Sequence, residues 1–215
     1  MSKLIISEIF SSIQGESHWA GYPCTFIRLT GCNLRCSWCD TRYAWEGGCQ
    51  RDISDLVDFA LKEGLPTVEV TGGEPLLQEG AHELLSTLAS EHPGEVLLET
   101  NGSLPIKGID PKVHIIMDLK PPSSGESDSI EWSNLNELSP QRDEVKIIIA
   151  DRSDFEWALS ALRTKIASGI RVSLSPLWGS LEAPLLASWI MEEKLSVRMQ
   201  LQLHKLIWPD TDRGV

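Results

Sequence analysis

Short apolar runs rich in β-branched residues alternate along this chain with stretches of helical periodicity, and that alternation limits the fold more than any other feature. The runs are CTFIRL (24–29), TVEVT (67–71), EVLLET (95–100), VHIIMDL (113–119), EVKIIIA (144–150), IRVSLS (170–175) and VRMQLQL (197–203). Several are nearly continuous in apolar residues, the pattern of strands in a sheet covered on both faces. Between them, Asp52 stands as an N-cap ahead of Ile53, Leu56, Val57, Ala60 and Leu61, which repeat at helical spacing until Gly64 stops them. Helices are also predicted over 76–90, 153–168 and 182–194. A βα alternation of this kind predicts a parallel sheet.

Two connections break the pattern. Between the strands near 100 and 113 there is room only for a loop, and residues 120–143 are crowded with turn formers. The expectation is therefore an α/β fold built as an incomplete (β/α)6-type barrel with reduced crossovers, about six strands by counting the runs. In α/β barrels the chemistry sits at the C-terminal strand ends. The unusual polar segments here do follow strands: TGC, TGGEP, ETNG, DLKPPSSG and SPLWG.

The first of these opens GCNLRCSWCDT (31–41), with Cys32, Cys36 and Cys39 spaced C-x3-C-x2-C. Thiolates suit iron–sulfur clusters, and three of them on one loop leave the fourth iron of a cube open to a chelating small molecule. Zinc is the alternative, with Cys49 or His18 completing a tetrahedron, although structural zinc sites usually pair two short hairpins. Cys49 reads as an incidental thiol and Cys24 as a core residue. An odd count of five clustered cysteines favours metal over disulfides.

Composition removes other classes. With 215 residues, 41% of them hydrophobic, the chain can bury a substantial core. A formal net charge of -12 and a pI near 4.8 argue against a large nucleic-acid footprint. No apolar run approaches the roughly 20 residues of a membrane span. The N-terminal MSKLIISEIF does not read as a signal peptide, so a cytoplasmic location with reduced thiols is expected.

The cysteine spacing, with the aromatic Trp38 before its last member and the glycine-rich TGGEP at 71–75, resembles the radical S-adenosylmethionine enzymes. Across IQGES and the cluster loop, KPPSS (120–124) and the terminal Arg-Gly-Val, the chain more narrowly resembles the 7-carboxy-7-deazaguanine synthases of queuosine and deazapurine biosynthesis. The likeness spans 1–215 as one radical SAM core domain. DLK (118–120) stands where many relatives carry Ser-Pro-Lys, so Lys120 carries over cleanly, and Asp118 and Leu119 by position only.

The resemblance implies a lyase that contracts the ring of 6-carboxy-5,6,7,8-tetrahydropterin to 7-carboxy-7-deazaguanine with loss of ammonia. A 4Fe-4S cluster held by Cys32, Cys36 and Cys39 and S-adenosyl-L-methionine initiate the radical chemistry, and Mg2+ assists. It further implies substrate contacts from Ile13, Gln14, Gly15, Glu16, Arg28, Thr71 and Val215. Cofactor contacts fall to Trp38, Gly73, Glu74, Glu99, Asp118, Leu119, Lys120 and the stretch Ser175, Pro176, Leu177 and Trp178. Thr41 becomes the Mg2+ ligand, a hard hydroxyl oxygen beside substrate oxygens. A homodimer and a reducing electron donor such as flavodoxin or ferredoxin are implied as partners.

Residue chemistry bears on some of these roles. Glu16 and the carboxylate of Val215 match the donor edge of a pterin. Arg28 lies in an apolar strand and needs an anion, either the substrate carboxylate or a structural acid. The apolar LIW (206–208) is expected to dock the C-terminal tail. A radical activase acting on a partner protein and a zinc-binding interaction module are the competing readings.

Overall fold

The computed structural model describes residues 2–211 and 213–215. Nine strands form one open sheet in the order β3-β1-β2-β4-β5-β6-β7-β8-β9. Their ranges are β1 Lys3–Ile13, β2 Pro23–Leu29, β3 Cys49–Asp52, β4 Thr67–Gly72, β5 Glu95–Thr100, β6 His114–Leu119, β7 Glu144–Ile149, β8 Arg171–Pro176 and β9 Arg198–Met199. From β2 through β4 to β9 every neighbouring pair is parallel, and β1 and β3 add an antiparallel flank.

The barrel is thus α/β and unclosed, as expected. The expected last strand over 197–203 shrinks to the two residues of β9. The chain turns there into a short helix, α5 (Leu203–Ile207). The remaining helices are α1 Ile53–Glu63, α2 Gly80–Glu91, α3 Arg152–Thr164 and α4 Ala183–Glu192. Gly64 ends α1 in the left-handed region at φ 61°. Asp52 occupies the N-cap position but makes no side-chain cap bond; its carboxylate meets Lys3 at 3.6 Å instead. Helix α2 starts later than its periodicity predicts, because Pro75–Leu77 forms a separate 3-10 turn. The long stretch before β7 holds only 3-10 turns, at Pro122–Ser124, Ser127–Ser129 and Trp132–Asn136.

Strand alternation sorts the side chains into two environments. Val68, Val70, Val96 and Leu98 face α1 and α2 in one apolar cluster. Met117, Leu119, Val145, Ile147 and Leu174 join Phe155 and Leu159 of α3 and Leu186 of α4 in another. On the opposite face of the same strands Arg28, Glu69, Glu99, Asp118 and Lys146 face the barrel interior, alternating with apolar residues such as Phe26 and Ile148 that line the cavity beside them. The outer face is apolar, and the inner face sets charged side chains among apolar ones.

Candidate functional site

A cavity opens at the C-terminal strand ends. The cluster loop, the residues after β1, the interior strand residues and the C-terminal tail line it together. Cys32, Cys36 and Cys39 all face it and none is in a disulfide. They do not converge as a single ion requires, since no group of three or more His, Cys, Asp or Glu among the described residues can hold one. Three thiols of one loop facing one cavity are the donor set that an iron–sulfur cluster takes. The zinc alternative also loses its proposed fourth ligands. Cys49 sits exposed on β3 opposite Ile6. The His18 ring pairs with Glu144 at the N-terminal end of β7.

The cluster loop is braced from two sides. Ser37 N donates to Ser124 O at 2.9 Å, and Trp38 Nε1 donates to Ser123 Oγ at 3.1 Å. Ser123 is itself held by the fully buried Asp154 of α3, whose Oδ1 accepts from Ser123 N at 3.0 Å and whose Oδ2 accepts from Ala150 N at 3.0 Å. On the other side lies the TGGEP turn. A Cβ on Gly73 would come 2.3 Å from Gly31 O and 2.7 Å from Cys32 Cβ. Glycine at 73 is therefore fixed by backbone packing against the cysteine loop as well as by its place on the cavity. Burial raises the thiol pKa values of Cys32 and Cys36, the latter to about 11, while the nearby Lys120 ammonium works against the rise.

Lysines organise the interior charge. Lys146 of β7 is nearly buried, and its ammonium meets Glu16 and Glu99 directly and Asp118 Oδ2 at 3.3 Å. Burial alone would depress its pKa; Asp118, Glu16 and Glu99 reverse this and hold it well above the ordinary value. Burial likewise opposes ionisation of Glu99, and the Lys146 charge overcomes it, so its pKa falls. Lys120 Nζ donates to Asp118 Oδ2 at 2.9 Å and lies 5.4 Å from the Trp38 ring centre.

The segment after β1 closes over this wall. Gln14 Nε2 donates to Glu69, Glu16 accepts from Lys146, and His18 N donates to Glu144 Oε2 at 2.9 Å. Gln202 Nε2 donates to Glu16 Oε1 at 2.8 Å, and Leu203 N donates to Gly15 O at 3.0 Å. The Glu16 carboxylate is thus already engaged on both oxygens. Arg28 Nε donates to Glu8 Oε1 at 2.7 Å, so the structural acid exists. Among the described residues its other guanidinium nitrogens have no hydrogen-bond partner, and Arg28 lines the cavity.

The tail reaches the cavity by polar rather than apolar contacts. Lys205 Nζ meets Asp40 Oδ2 at 2.7 Å, and the Arg213 guanidinium lies 4.0 Å from the Tyr43 ring centre. Leu206 and Ile207 remain half-exposed, so the expected apolar docking is not what holds the tail. Val215 lines the cavity nonetheless.

Of the residues singled out from sequence, Ile13, Gln14, Gly15, Glu16, Arg28, Thr71, Val215, Trp38, Gly73, Glu99, Asp118, Lys120, Leu177 and Thr41 line this cavity with the cysteines. Thr41 precedes a 3-10 turn (Arg42–Ala44) without capping it through its side chain, and its Oγ1 lies 3.7 Å from Cys39 Sγ. Five residues stand off. Glu74 is fully buried and accepts from Leu76 N, Thr100 Oγ1 and Asn101 N, which makes it a brace of the TGGEP turn. Leu119 packs into the outer core, Ser175 and Pro176 are buried in β8, and Trp178 points half-exposed from the following turn. Sequence reading missed Glu69, Lys146, Tyr43, Gln202, His204 and Lys205, all on the cavity wall. For Glu69 the available signal was a lone charge amid a β-branched run, and for Lys146 a charge two residues after Glu144 at the head of an isoleucine run.

Residues 26–179 match the Radical SAM superfamily. A 7-carboxy-7-deazaguanine synthase from Chlorobaculum tepidum is 49% identical over 217 residues, covering 99% of this chain and 97% of that protein. One from Koribacter versatilis is 42% identical across 98% of this chain and 99% of its own length. A crystal structure of QueE from Escherichia coli superposes with a TM-score of 0.73 at 23% identity, covering 92% and 94% of the two chains, a likeness of fold. With a cavity lined by the cysteine triplet and relatives that match it nearly end to end, the chain belongs to the radical S-adenosylmethionine superfamily and, within it, to the 7-carboxy-7-deazaguanine synthase family of enzymes.

Proposed function

We propose that this chain, as one radical SAM core domain in the cytoplasm, converts 6-carboxy-5,6,7,8-tetrahydropterin to 7-carboxy-7-deazaguanine and ammonia. The observation that carries the reading is the meeting of the cysteine loop, Arg28, the segment 13–16 and the terminal Val215 around one cavity. Cys32, Cys36 and Cys39 would hold the 4Fe-4S cluster, with Trp38, Gly73, Lys120 and Leu177 beside S-adenosylmethionine. When bound, that pair supplies the adenosyl radical that takes hydrogen from the substrate and returns it.

The residues of the chain bind and orient. Arg28 keeps one nitrogen on Glu8 and offers the rest of its fork to the substrate carboxylate, the planar match that guanidinium makes best. Ile13, Gln14 and Gly15 give backbone contacts to the pterin, and the Val215 carboxylate accepts from its guanidine-like edge. Glu16, neutralised by Lys146, stands as a fixed acceptor whose geometry is set before substrate arrives. Thr41 would offer its hydroxyl to Mg2+, a hard cation that favours such oxygen donors. A homodimer and reduction by a flavodoxin or ferredoxin complete the proposal.

The test is anaerobic incubation of the iron-loaded protein with the tetrahydropterin, S-adenosylmethionine and a reductant. Formation of 7-carboxy-7-deazaguanine without net loss of S-adenosylmethionine is expected. Cleavage of S-adenosylmethionine with no deazapurine formed would refute it.

A further inference from the structure

Five carboxyl side chains line the cavity: Glu16, Asp40, Glu69, Glu99 and Asp118. Four of them meet an ammonium. Glu16, Glu99 and Asp118 share Lys146, Asp118 also takes Lys120, and Asp40 takes Lys205. Glu69 alone makes no ion pair among the described residues. Its side chain is the most enclosed of the inward carboxyls, at 1% relative exposure for the residue. Its one hydrogen bond comes from the neutral amide of Gln14 to Oε2, which leaves Oε1 to carry a proton.

The surroundings favour that proton. Burial and the charge of Glu99 on β5 push the Glu69 pKa well above the ordinary carboxyl value, with Glu16 adding to the rise. Lys146 on β7 and Arg28 on β2 oppose it without prevailing. Cys24 on β2 adds no charge, because burial holds its thiol neutral. Two glutamates on adjacent strands are thus driven apart, Glu99 ionised and Glu69 neutral, the arrangement that separates a resident anion from an available acid.

We propose that Glu69 is a catalytic residue, the acid that protonates the nitrogen leaving as ammonia. This rests on the ring-contraction reading above. After contraction, the carbon–nitrogen bond breaks with its electron pair on nitrogen, and the Glu69 O–H gives that nitrogen its proton. Ammonia departs, and the Glu69 carboxylate regains a proton from the neighbouring ring carbon as the double bond of the five-membered ring forms. The step loses only NH3 and requires no oxidant or reductant. The intermediate that precedes it has the mass of the substrate.

Glu69→Gln tests the assignment, because glutamine is isosteric and still accepts from Gln14. The cluster absorbance, substrate affinity and transfer of substrate deuterium to 5′-deoxyadenosine and S-adenosylmethionine are expected to stay within a few-fold of the unsubstituted protein. Deazapurine formation is expected to fall by about 10²–10⁴-fold, the usual range for losing a general acid, while an isomer of substrate mass accumulates. Product at the unsubstituted rate overturns the proposal. So does loss of substrate binding or of deuterium transfer, which would make Glu69 a binding residue. Should the variant fail to load iron, the unsubstituted protein decides in single turnover at rising pH. Slower ammonia release with accumulation of the isomer supports the proposal, and release independent of pH overturns it. If the unsubstituted protein itself forms no deazapurine, the ring-contraction reading fails and takes this assignment with it.

Discussion

Lys146 concentrates more of the site's electrostatics than any other side chain. A nearly buried ammonium facing the carboxylates of Glu16, Glu99 and Asp118 holds Glu99 ionised, and Glu99 in turn helps keep Glu69 neutral. Removing the cation strands the anions. Lys146→Met is expected to destabilise the fold by about 3–5 kcal/mol, the cost of breaking a buried pair from one side. The deficit shrinks as the pH falls and the carboxylates protonate. Denaturant unfolding at pH 8 and pH 5 measures both, and a loss below about 1 kcal/mol at pH 8 would show that Lys146 is no hub.

Glu69 carries the opposite signature. Its folded pKa lies above its unfolded value, so its protonated form stabilises fully below the ordinary carboxyl pKa and that contribution is lost as pH rises. Glu69→Gln is therefore expected to match the unsubstituted protein near pH 4 and to gain on it above, by up to about 1.4 kcal/mol per pH unit until the raised pKa is passed. Equal stability of the two proteins from pH 5 to 8 would contradict the neutral state. Both residues were hidden in the sequence for one reason. Runs such as TVEVT and EVKIIIA read as two-faced apolar strands until their charges are recognised as the inner members of a period of two.

At the scale of elements, strands and helices were legible where periodicity is strong, and the turns were legible in position only. Helix α1 and its Gly64 stop follow directly from the spacing. The antiparallel strand β1 was not recognised, because only its first half alternates, with Leu4 and Ile6 entering the core, and Ser11-Ser12 breaks the period toward its half-exposed end. The run over 197–203 misled in the other direction, since its polar half turns to meet Gly15 and Glu16. The TGGEP turn was identified as a ligand contact, yet its tightest constraint is the contact between Gly73 and the cysteine loop, which no local pattern encodes. Gly73→Ala places a methyl against backbone atoms that cannot yield. The variant is expected to keep its far-ultraviolet circular dichroism and to lose most of its iron on reconstitution. Iron content equal to that of the unsubstituted protein would show that the loop tolerates the shift.

For the whole molecule, the chain's two ends complete the site. The segment after β1 crosses the barrel to β7, and the last residues return past Tyr43 and Asp40, so the cavity is assembled from residues more than 190 apart in sequence. Cysteine spacing made the cluster loop legible, and the strand-end rule of α/β barrels made the cavity's location legible. Long-range polar closure was legible only through resemblance, because ion pairs between distant segments leave no period. Deleting 213–215 is expected to leave the melting temperature and iron content unchanged and to weaken substrate binding at least tenfold, roughly the effect of losing one charge-assisted contact of about 1.4 kcal/mol. Unchanged affinity by titration would remove the tail from the site.

The chemistry proposed for the cavity depends on Cys32, Cys36 and Cys39 holding a cluster with one iron open to S-adenosylmethionine. Electron paramagnetic resonance of the reduced, anaerobically reconstituted protein with and without S-adenosylmethionine tests this. A 4Fe-4S signal that changes on addition, with hyperfine coupling from the methionine amino nitrogen, is expected. A signal unaltered by S-adenosylmethionine, or a protein that binds zinc in place of iron, would contradict it.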